Sequence, residues 1–198
     1  MTGIALIAGL GNIGRQYEQT RHNAGFWFVD ELARQYAAQL STQSRFHGDA
    51  VKANIGSGQV WLLKPGTLMN LSGKSVSALA NFYKIPTEQI LVVHDELDLA
   101  PGQARLKSGG GVAGHNGLKD IRAQCGGAQF WRLRIGIGHP RELGLRQQVA
   151  DFVLNRASTE HQSAIDRALD ESLRVVPDLL AGDFESAMQQ LHTATGNA

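Results

Sequence analysis

The chain has 198 residues, of which 42% are hydrophobic, and a formal net charge of +1 at neutral pH. This length suits one hydrophobic core, so we expect a single domain over residues 1–198 with a loose tail at about 192–198. The near-neutral charge excludes a protein that coats nucleic acid non-specifically. No apolar run reaches the ~18 residues of a membrane helix and no signal peptide is evident, so we expect a cytoplasmic protein without membrane attachment.

The charges are unevenly distributed along the chain. Residues 101–150 carry eight lysines and arginines against two acidic residues, and from residue 151 onward three arginines stand against eight acids. A basic segment of this kind can contact a few phosphates, as in docking to a defined piece of nucleic acid. A solvated face with counter-charges elsewhere in the fold explains the same distribution equally well.

The predicted elements alternate between strands and helices. An apolar run at residues 4–9 is typical of a strand buried on both faces, and WRLRIGIG at 131–138 alternates apolar residues with arginines as a half-buried strand does. Further strands are predicted at residues 50–55, 59–64, 90–95 and 103–107. Helical spacing predicts helices at residues 26–40, 75–84 and 118–125 and through the C-terminal third. This order predicts an α/β fold, a single three-layer domain whose mixed, twisted sheet has helices on both faces.

Two glycine motifs resemble nucleotide-binding loops, but their contexts are wrong. Gly9, Gly11 and Gly14 have the G-x-G-x-x-G spacing, yet the nine residues that follow contain a single apolar residue, so no helix is predicted to begin there. The GKS that starts at Gly73 is separated from Gly66 by six residues, where a phosphate-binding loop needs four. We therefore expect neither a dinucleotide fold nor an ATPase.

Polar side chains collect in the loops that follow predicted strands. Asn12, Asn70 and Asn116 lie in such loops, and Asp95 ends the strand ILVVHD. Because ligands of α/β sheets bind at the carboxyl ends of the strands, we expect these residues to share one crevice. His22, at the start of the first helix, can face the same crevice.

A histidine near a carboxylate, without a recognised serine or cysteine nucleophile motif, favours hydrolysis by activated water. His22 would take the proton from water, and Asp95 would fix the tautomer of its imidazole. Asparagine amides can donate to an oxyanion or bind a substrate amide. Local spacing leaves simpler roles open, because a histidine at a helix start often faces solvent, asparagines are common in turns, and Asn23 is predicted to cap the helix.

A metal-dependent hydrolase is an alternative that the sequence disfavours. Successive residues of a strand point to opposite faces, and the chain contains no H-E-x-x-H motif. The acidic and histidine candidates at the strand end are His94, Asp95, Glu96 and Asp98. The single cysteine, Cys125, excludes a cysteine-ligated zinc site and an internal disulfide.

Six sequence blocks occur in order along nearly the whole chain, namely IALIAGLGN, Y-x-x-T-RHNAG, KP-x-T-x-MN-x-SG, HDELDL, K-x-GGG-x-x-GHNGLKDI and RLRIGIGHP. Together they resemble the bacterial peptidyl-tRNA hydrolase family, whose members free stalled tRNAs by cleaving the ester to the nascent peptide. The resemblance implies a cytoplasmic, monomeric hydrolase that needs no cofactor or metal. Its partner would be peptidyl-tRNA, bound at the acceptor stem and CCA end.

The resemblance also implies roles for matching positions. His22 would be the general base and Asp95 the residue that keeps it basic, while Asn12 would distinguish a blocked, peptide-like amino group from a free amine. The implied positions for binding the peptide and the terminal adenosine are Tyr17, Leu68, Met69, Asn70 and Asn116. The implied contacts to tRNA phosphates are Lys107 and Arg134, whereas His94 and His115 would support the scaffold.

Two positions depart from the family's pattern. Ile13 stands where the family usually has proline, so we expect the Asn12 amide to be held less rigidly. Leu68 stands where phenylalanine is common, which leaves less aromatic surface for the substrate. An RNA-binding protein of low activity on the same scaffold is the alternative function, and the intact His22, Asp95 and Asn12 favour the enzyme.

Overall fold

The computed structural model describes residues 2–196 and contains a seven-stranded sheet. The strands are β1 (Leu6–Gly9), β2 (Ser41–Gln43), β3 (Gly48–Ile55), β4 (Gly58–Pro65), β5 (Ile90–Glu96), β6 (Ala104–Ser108) and β7 (Trp131–Gly136). Their order in the sheet is β2-β3-β4-β1-β5-β7-β6. Strands β4, β1, β5 and β7 are parallel neighbours, whereas β2, β3 and β6 are antiparallel to the strands they pair with. The sheet is therefore mixed, with its parallel part at the centre.

Helices cover both faces of this sheet. They are α1 (Ala24–Gln35), α2 (Ser72–Phe82), α3 (Asn116–Gln124), α4 (Val149–Val153), α5 (Thr159–Arg174), α6 (Val176–Ala181) and α7 (Phe184–Ala194). Leu91 and Val93 of β5 join the hydrophobic cluster under α1 and α4 to α7, and Ile90 and Val92 join the cluster under α2 and α3. A strand buried on both faces reads as a continuous apolar run, as predicted. The three-layer α/β fold is confirmed.

Helices α1, α2 and α3 all have different bounds from those predicted, and α2 spans Ser72–Phe82 in place of residues 75–84. Helix α1 ends at Gln35, five residues before the predicted end, and Ala37 just beyond it has a positive φ of 51° that no α-helix contains. Helix α3 begins at Asn116, where the His115 side chain accepts a hydrogen bond from Leu118 N. The cap therefore brings His115 and Asn116 to the start of a helix.

Two glycines let α1 begin directly against the sheet. A Cβ atom on Gly25 would lie 2.3 Å from both Leu10 N and Val93 O, and one on Gly9 would lie 2.1 Å from Gly25 O. These neighbours are backbone atoms that cannot rotate away, so a side chain at either position would push the helix off the strands. The residues just before α1 therefore reach the ends of β1 and β5 only because both positions are glycine.

We expect the Gly25→Ala substitution to lower the free energy of unfolding by about 3 kcal/mol, because the added methyl group overlaps backbone atoms of two strands. Urea denaturation of the variant measures this change. Gly111→Ala is the matched control, since a Cβ there meets no atom within 4 Å. An equal loss in both variants would contradict a role for close approach.

The predicted loose tail is wrong for residues 192–196. Helix α7 continues to Ala194, and Leu191 and Thr195 are buried. The His192 Nε2 atom accepts a hydrogen bond of 2.9 Å from Leu106 N, and the Thr195 hydroxyl accepts one of 3.2 Å from Ala104 N. Strand β6 is an edge strand whose free backbone groups need partners, and this helix supplies them. Residues 197 and 198 of the predicted tail lie outside the described residues.

Candidate active site

Polar residues meet at the carboxyl ends of β1, β4 and β5. Asn12 follows β1, Met69 follows β4 at the start of the 3-10 helix Met69–Leu71, and Asp95 is the penultimate residue of β5. His22 lies in the 3-10 helix Arg21–Asn23, which leads into α1. The close contact of α1 with the sheet sets His22 against Asp95. The predicted residues thus collect at the strand ends, but they do not line the single crevice predicted for them.

His22, which is partly buried, and Asp95, which is buried, form a hydrogen-bonded pair. The distance from His22 Nδ1 to Asp95 Oδ2 is 2.8 Å, and the side chains are 13% and 2% exposed. A carboxylate can only accept a hydrogen bond, so Nδ1 carries the proton and Nε2 has a free lone pair. Within residues 2–196 this Nε2 atom has no hydrogen-bond partner, and His22 lines a cavity of about 580 Å³ that we call the His22 cavity. In its neutral form the imidazole can therefore accept a proton at Nε2 from a molecule that enters the cavity.

The pKa of His22 reflects two opposing effects. Burial lowers this pKa, and the charge of Asp95 and its hydrogen bond raise it by a larger amount, so the pKa lies above its ordinary value. A raised pKa makes Nε2 a stronger base, and Asp95 stabilises the imidazolium that forms when Nε2 takes a proton.

His115 supplies a second hydrogen bond to the same carboxylate. Its Nε2 lies 2.9 Å from Asp95 Oδ1, and its Nδ1 accepts from Leu118 N at 3.4 Å. Burial raises the pKa of Asp95, but the charges and hydrogen bonds of the two imidazoles outweigh this effect and hold that pKa well below its ordinary value. His115 therefore positions Asp95, which gives its predicted scaffold role a specific partner.

His94 is buried beside this pair in the same strand. Its Nδ1 donates to the carbonyl oxygen of Asp95 at 2.8 Å. Burial, with a smaller contribution from the charge of His115, lowers the pKa of His94 to about 3. His94 is therefore neutral at physiological pH, and its contact is with the backbone of Asp95.

Asn12 is held by hydrogen bonds on both sides. Asn12 N donates to Asn23 Oδ1 at 2.8 Å, Asn23 Nδ2 donates to Asn12 O at 3.0 Å, and Met69 N donates to Asn12 Oδ1 at 2.7 Å. None of these bonds involves Ile13, which is exposed. With Oδ1 engaged, Nδ2 is the free donor of the Asn12 side chain among the described residues.

Asn23 has a different role from the predicted one. It precedes α1, but its side chain forms no capping hydrogen bond with that helix. Both ends of its amide group bind the backbone of Asn12 instead. The sequence did not reveal this contact with Asn12, and its only signal was the position of Asn23 next to His22.

The predicted site residues are distributed over two cavities. His22, Asp95 and Asn116 line the His22 cavity, opposite Val149 and Val153 of α4. Asn12 lines a second cavity of about 350 Å³, which we call the Asn12 cavity. The remaining predicted positions that bind substrate line neither cavity; they are Tyr17, Leu68, Met69 and Asn70.

Those four residues differ in exposure. Met69 is buried, and its backbone N donates a hydrogen bond to Asn12 Oδ1. Its neighbours in the chain, Leu68 and Asn70, are exposed. Tyr17 is half-buried in the 3-10 helix Arg15–Tyr17. The structure therefore brings Leu68, Met69 and Asn70 to Asn12 and leaves Tyr17 outside both cavities.

The predicted phosphate contacts lie on the antiparallel strands β6 and β7 at one edge of the sheet. Lys107 is paired with Arg132 and Arg105 with Arg134 across the two strands. Directly opposed residues project to the same face of a sheet, so all four cations share one face. These two strands carry four of the eight cations of the basic segment at residues 101–150.

The four cations are not equally available. Arg132 is 4% exposed and donates to the carbonyl oxygens of Gly109 and Gly111 in the glycine-rich loop. Arg134 Nε donates to Glu96 Oε1 at 2.7 Å, whereas Lys107 is exposed. Lys107 is therefore the cation best placed to meet a phosphate, and Arg134 would share its guanidinium between Glu96 and a ligand.

A metal ion would have to compete with hydrogen bonds that already exist. Ligand atoms of His22, Asp95 and His115 lie within 4.8 Å of one another. Both imidazoles already donate to the carboxylate, so a cation at this point would displace both protons. The residues that the sequence suggested for a metal are arranged differently, since His94 bonds to the backbone and Glu96 pairs with Arg134.

Comparison with known proteins decides the family. The family model described as peptidyl-tRNA hydrolase matches residues 6–198. The chain belongs to the peptidyl-tRNA hydrolase family. The resemblance carried by the six sequence blocks is thereby confirmed, and the chain is a member of an enzyme family whose reaction is hydrolysis.

Individual family members are similar over their full lengths. A peptidyl-tRNA hydrolase of Methylobacillus flagellatus is 57% identical over 98% of this chain and 100% of its own. One from Bordetella parapertussis is 58% identical over 98% and 90% of the two chains. The crystal structure of peptidyl-tRNA hydrolase from Acinetobacter baumannii is 50% identical, covers 96% of this chain and 95% of its own, and superposes with a TM-score of 0.91.

In this peptidyl-tRNA hydrolase family member, Arg21 joins the site to helix α4. Its guanidinium lies 3.8 Å from the Phe152 ring centroid and donates to the carbonyl oxygens of Phe152 and Asn155 at 2.9 and 3.1 Å. Burial lowers the pKa of Arg21. Arg21 thus holds a wall of the His22 cavity against the 3-10 helix that carries His22.

In the part of the chain that the structure describes, no helix has the length and apolarity to cross a membrane.

We expect Arg21→Ala to lower the free energy of unfolding by about 3 kcal/mol, because the carbonyl oxygens of Phe152 and Asn155 lose their charged donor and the Phe152 ring loses the guanidinium packed on it. Thermal and urea unfolding measure the change. The exposed Arg15 is the matched control, and Arg15→Ala should change stability by less than about 0.5 kcal/mol. Similar losses in the two variants would show that Arg21 is not an anchor.

Proposed function

We propose that this chain hydrolyses the ester between the carboxyl group of a peptide and a ribose hydroxyl of tRNA. The observation that carries the proposal is the His22 side chain, which lines the His22 cavity and whose Nδ1 is 2.8 Å from Asp95 Oδ2. Membership of the peptidyl-tRNA hydrolase family names the substrate class. An N-blocked amino acid on tRNA is the smallest substrate of this kind.

In the proposed reaction His22 Nε2 removes a proton from water as the water oxygen attacks the ester carbonyl. Asparagine amides at the site donate to the oxyanion that forms. The intermediate then collapses, and the imidazolium returns the proton to the departing ribose oxygen. Asp95 keeps its negative charge throughout and stabilises the imidazolium. The ester leaving group is good enough for this chemistry without a metal or cofactor.

On the peptide side, Asn12 would bind the last amide group of the substrate peptide. Its free Nδ2 can donate to the carbonyl of a blocked amino group, which a free amine lacks. Asn70 and Asn116 would hold the peptide and the terminal adenosine, with Leu68 and Met69 beside them. We include Tyr17 in this group on its match to the family's motif alone.

On the tRNA side, Lys107 and Arg134 would bind phosphates of the acceptor stem near the CCA end. We expect Lys107→Ala to weaken tRNA binding for all sequences and to reduce the slope of log K against log salt by about 1, since a phosphate contact releases one counterion. Filter binding from 50 to 300 mM salt measures the slope. Lys84→Ala, at an exposed lysine of the α2–β5 connection, is the control and should leave the slope unchanged. An unchanged slope in Lys107→Ala would show that Lys107 does not contact a phosphate.

We further propose that the protein acts as a monomer in the cytoplasm, where peptidyl-tRNA arises. A single chain contains both members of the His22 and Asp95 pair and the proposed phosphate contacts. Sedimentation of the protein with and without tRNA tests the monomer.

The test of the activity compares two esters of one tRNA, N-acetyl-aminoacyl-tRNA and the unblocked aminoacyl-tRNA, with and without a chelator. We expect release of tRNA from the blocked ester alone, at the same rate in both conditions. Binding of tRNA without release would favour the RNA-binding alternative. Loss of release in chelator would show that the cluster of His22, Asp95 and His115 works with a metal.

A further inference from the structure

The Asn12 cavity is charged differently from the proposed tRNA side of the site. Its acidic lining residues are Glu18, Asp30 and Asp49, and Lys64 is its single cation. Lys64 Nζ is 2.8 and 2.9 Å from the two oxygens of Asp30 and lies 4.8 Å from the Phe26 ring centroid. Lys64 therefore neutralises Asp30, and the charges of the other two carboxylates of the cavity are not balanced by a lining cation.

Those two carboxylates have no cationic partner in the described part of the chain. Glu18 is exposed and forms no ion pair, and Asp49 accepts only the hydroxyl of Thr42, at 2.9 Å. Asp49 is directly opposite Lys64 across β3 and β4, but the ammonium group turns to Asp30. An entering cation would thus meet carboxylates that no other charge neutralises.

The floor of the cavity is apolar. Phe26, Trp27 and Pro65 contribute to the lining, and the Trp27 ring is fixed by a 2.8 Å hydrogen bond from its Nε1 to Glu18 O. Aromatic faces bind the aliphatic stem of a lysine or arginine and also attract its charged end. Apolar floor and acidic rim together suit a long side chain that ends in a positive charge.

A buried polar group points to the ligand independently of these charges. Asn12 is 7% exposed, lines this cavity, and has an Nδ2 group without a hydrogen bond among residues 2–196. If Asn12 binds the last amide of the peptide, the chain continues from that amide away from His22. The residue before the last one then lies at the Asn12 cavity.

We propose that the Asn12 cavity is a subsite for the side chain of the penultimate peptide residue and that Glu18 and Asp49 make it prefer lysine or arginine. The inference rests on the proposed function. It assigns the two halves of the substrate to surfaces of opposite charge, because the acidic cavity repels RNA phosphates that Lys107 attracts.

The experiment uses three N-acetyl-dipeptidyl esters of one tRNA, all with phenylalanine as the last residue and with lysine, glycine or glutamate before it. We expect kcat/KM to fall in the order lysine, glycine, glutamate, with about a tenfold ratio of lysine to glutamate at low salt, as two partly exposed charges allow. In the variant Glu18→Gln/Asp49→Asn this ratio should fall to about 1 to 2, and Glu18→Gln/Asp49→Lys, which leaves one cation in excess, should favour glutamate.

The ratio is measured within one enzyme preparation, so a fraction of unfolded protein cancels. The control Glu185→Gln removes an exposed carboxylate of α7 and should keep the ratio of the unmodified enzyme. Equal kcat/KM for the three esters, or a ratio that survives in the double variant, would overturn the subsite. Failure of the unmodified enzyme to cleave any of the three would instead overturn the proposed function.

Discussion

Replacement of His22 by alanine should lower kcat for an N-acetyl-aminoacyl-tRNA by about 10²- to 10⁴-fold, because the water loses its general base. KM should change much less, since His22 contributes little to binding tRNA through phosphates. Single-turnover hydrolysis with saturating enzyme separates the two effects. In the unmodified enzyme, activity requires neutral His22, so kcat should rise with pH and level off above a pKa that exceeds the ordinary histidine value.

The control for this variant is His161→Ala, which removes a histidine of α5 that lines neither cavity. It should retain full activity. A His22→Ala variant that keeps more than about a tenth of kcat would show that another group activates the water. A loss confined to KM would make His22 a binding residue.

Replacement of Asp95 by asparagine should lower kcat by about 10²- to 10³-fold while the fold is retained. Asp95 accepts hydrogen bonds from His22 and from His115 at its two oxygens. An asparagine amide has one acceptor oxygen and one donor NH₂, so one imidazole must adopt the other tautomer. If His22 does so, its Nε2 becomes protonated and no longer acts as a base.

The pH profile distinguishes this mechanism from general damage to the site. Burial lowers the pKa of His22 and Asp95 raises it, so removal of the carboxylate charge should move the midpoint of the kcat profile to lower pH as the plateau falls. His139→Ala, which removes a neighbouring lining residue of the His22 cavity, should leave the midpoint unchanged. An unaltered midpoint in Asp95→Asn would show that Asp95 does not control the basicity of His22.

Much of the site could be predicted from local sequence. Asp95 ends an apolar run and Asn12 follows one, so both could be placed at the carboxyl edge of a sheet before the fold was known. The RHNAG and GHNG blocks carried the resemblance that gave His22 and Asn116 their roles. The placement of Asn12 and Asp95 is confirmed because strand ends are visible in the period and length of apolar runs, whereas the roles of His22 and Asn116 stay predictions.

The partners of these residues could not be predicted, because they lie far apart in the chain. His22 and Asp95 are 73 residues apart, and Asn12 and Met69 are 57 apart. His115 was expected to support the scaffold, but only the fold shows that it donates to Asp95. Spacing along the chain contains no information on which of several histidines meets a given carboxylate.

Charge shows the same division between sequence and structure. The sequence by itself determined the α/β class, the strand ends where polar residues collect and the basic segment at 101–150. Only the tertiary structure decided that Arg132 is buried against loop carbonyls while Lys107 is exposed, and that residues 192–196 pack along β6. The class follows from local periodicity, whereas the availability of a charge and the partner of an edge strand depend on packing between distant segments.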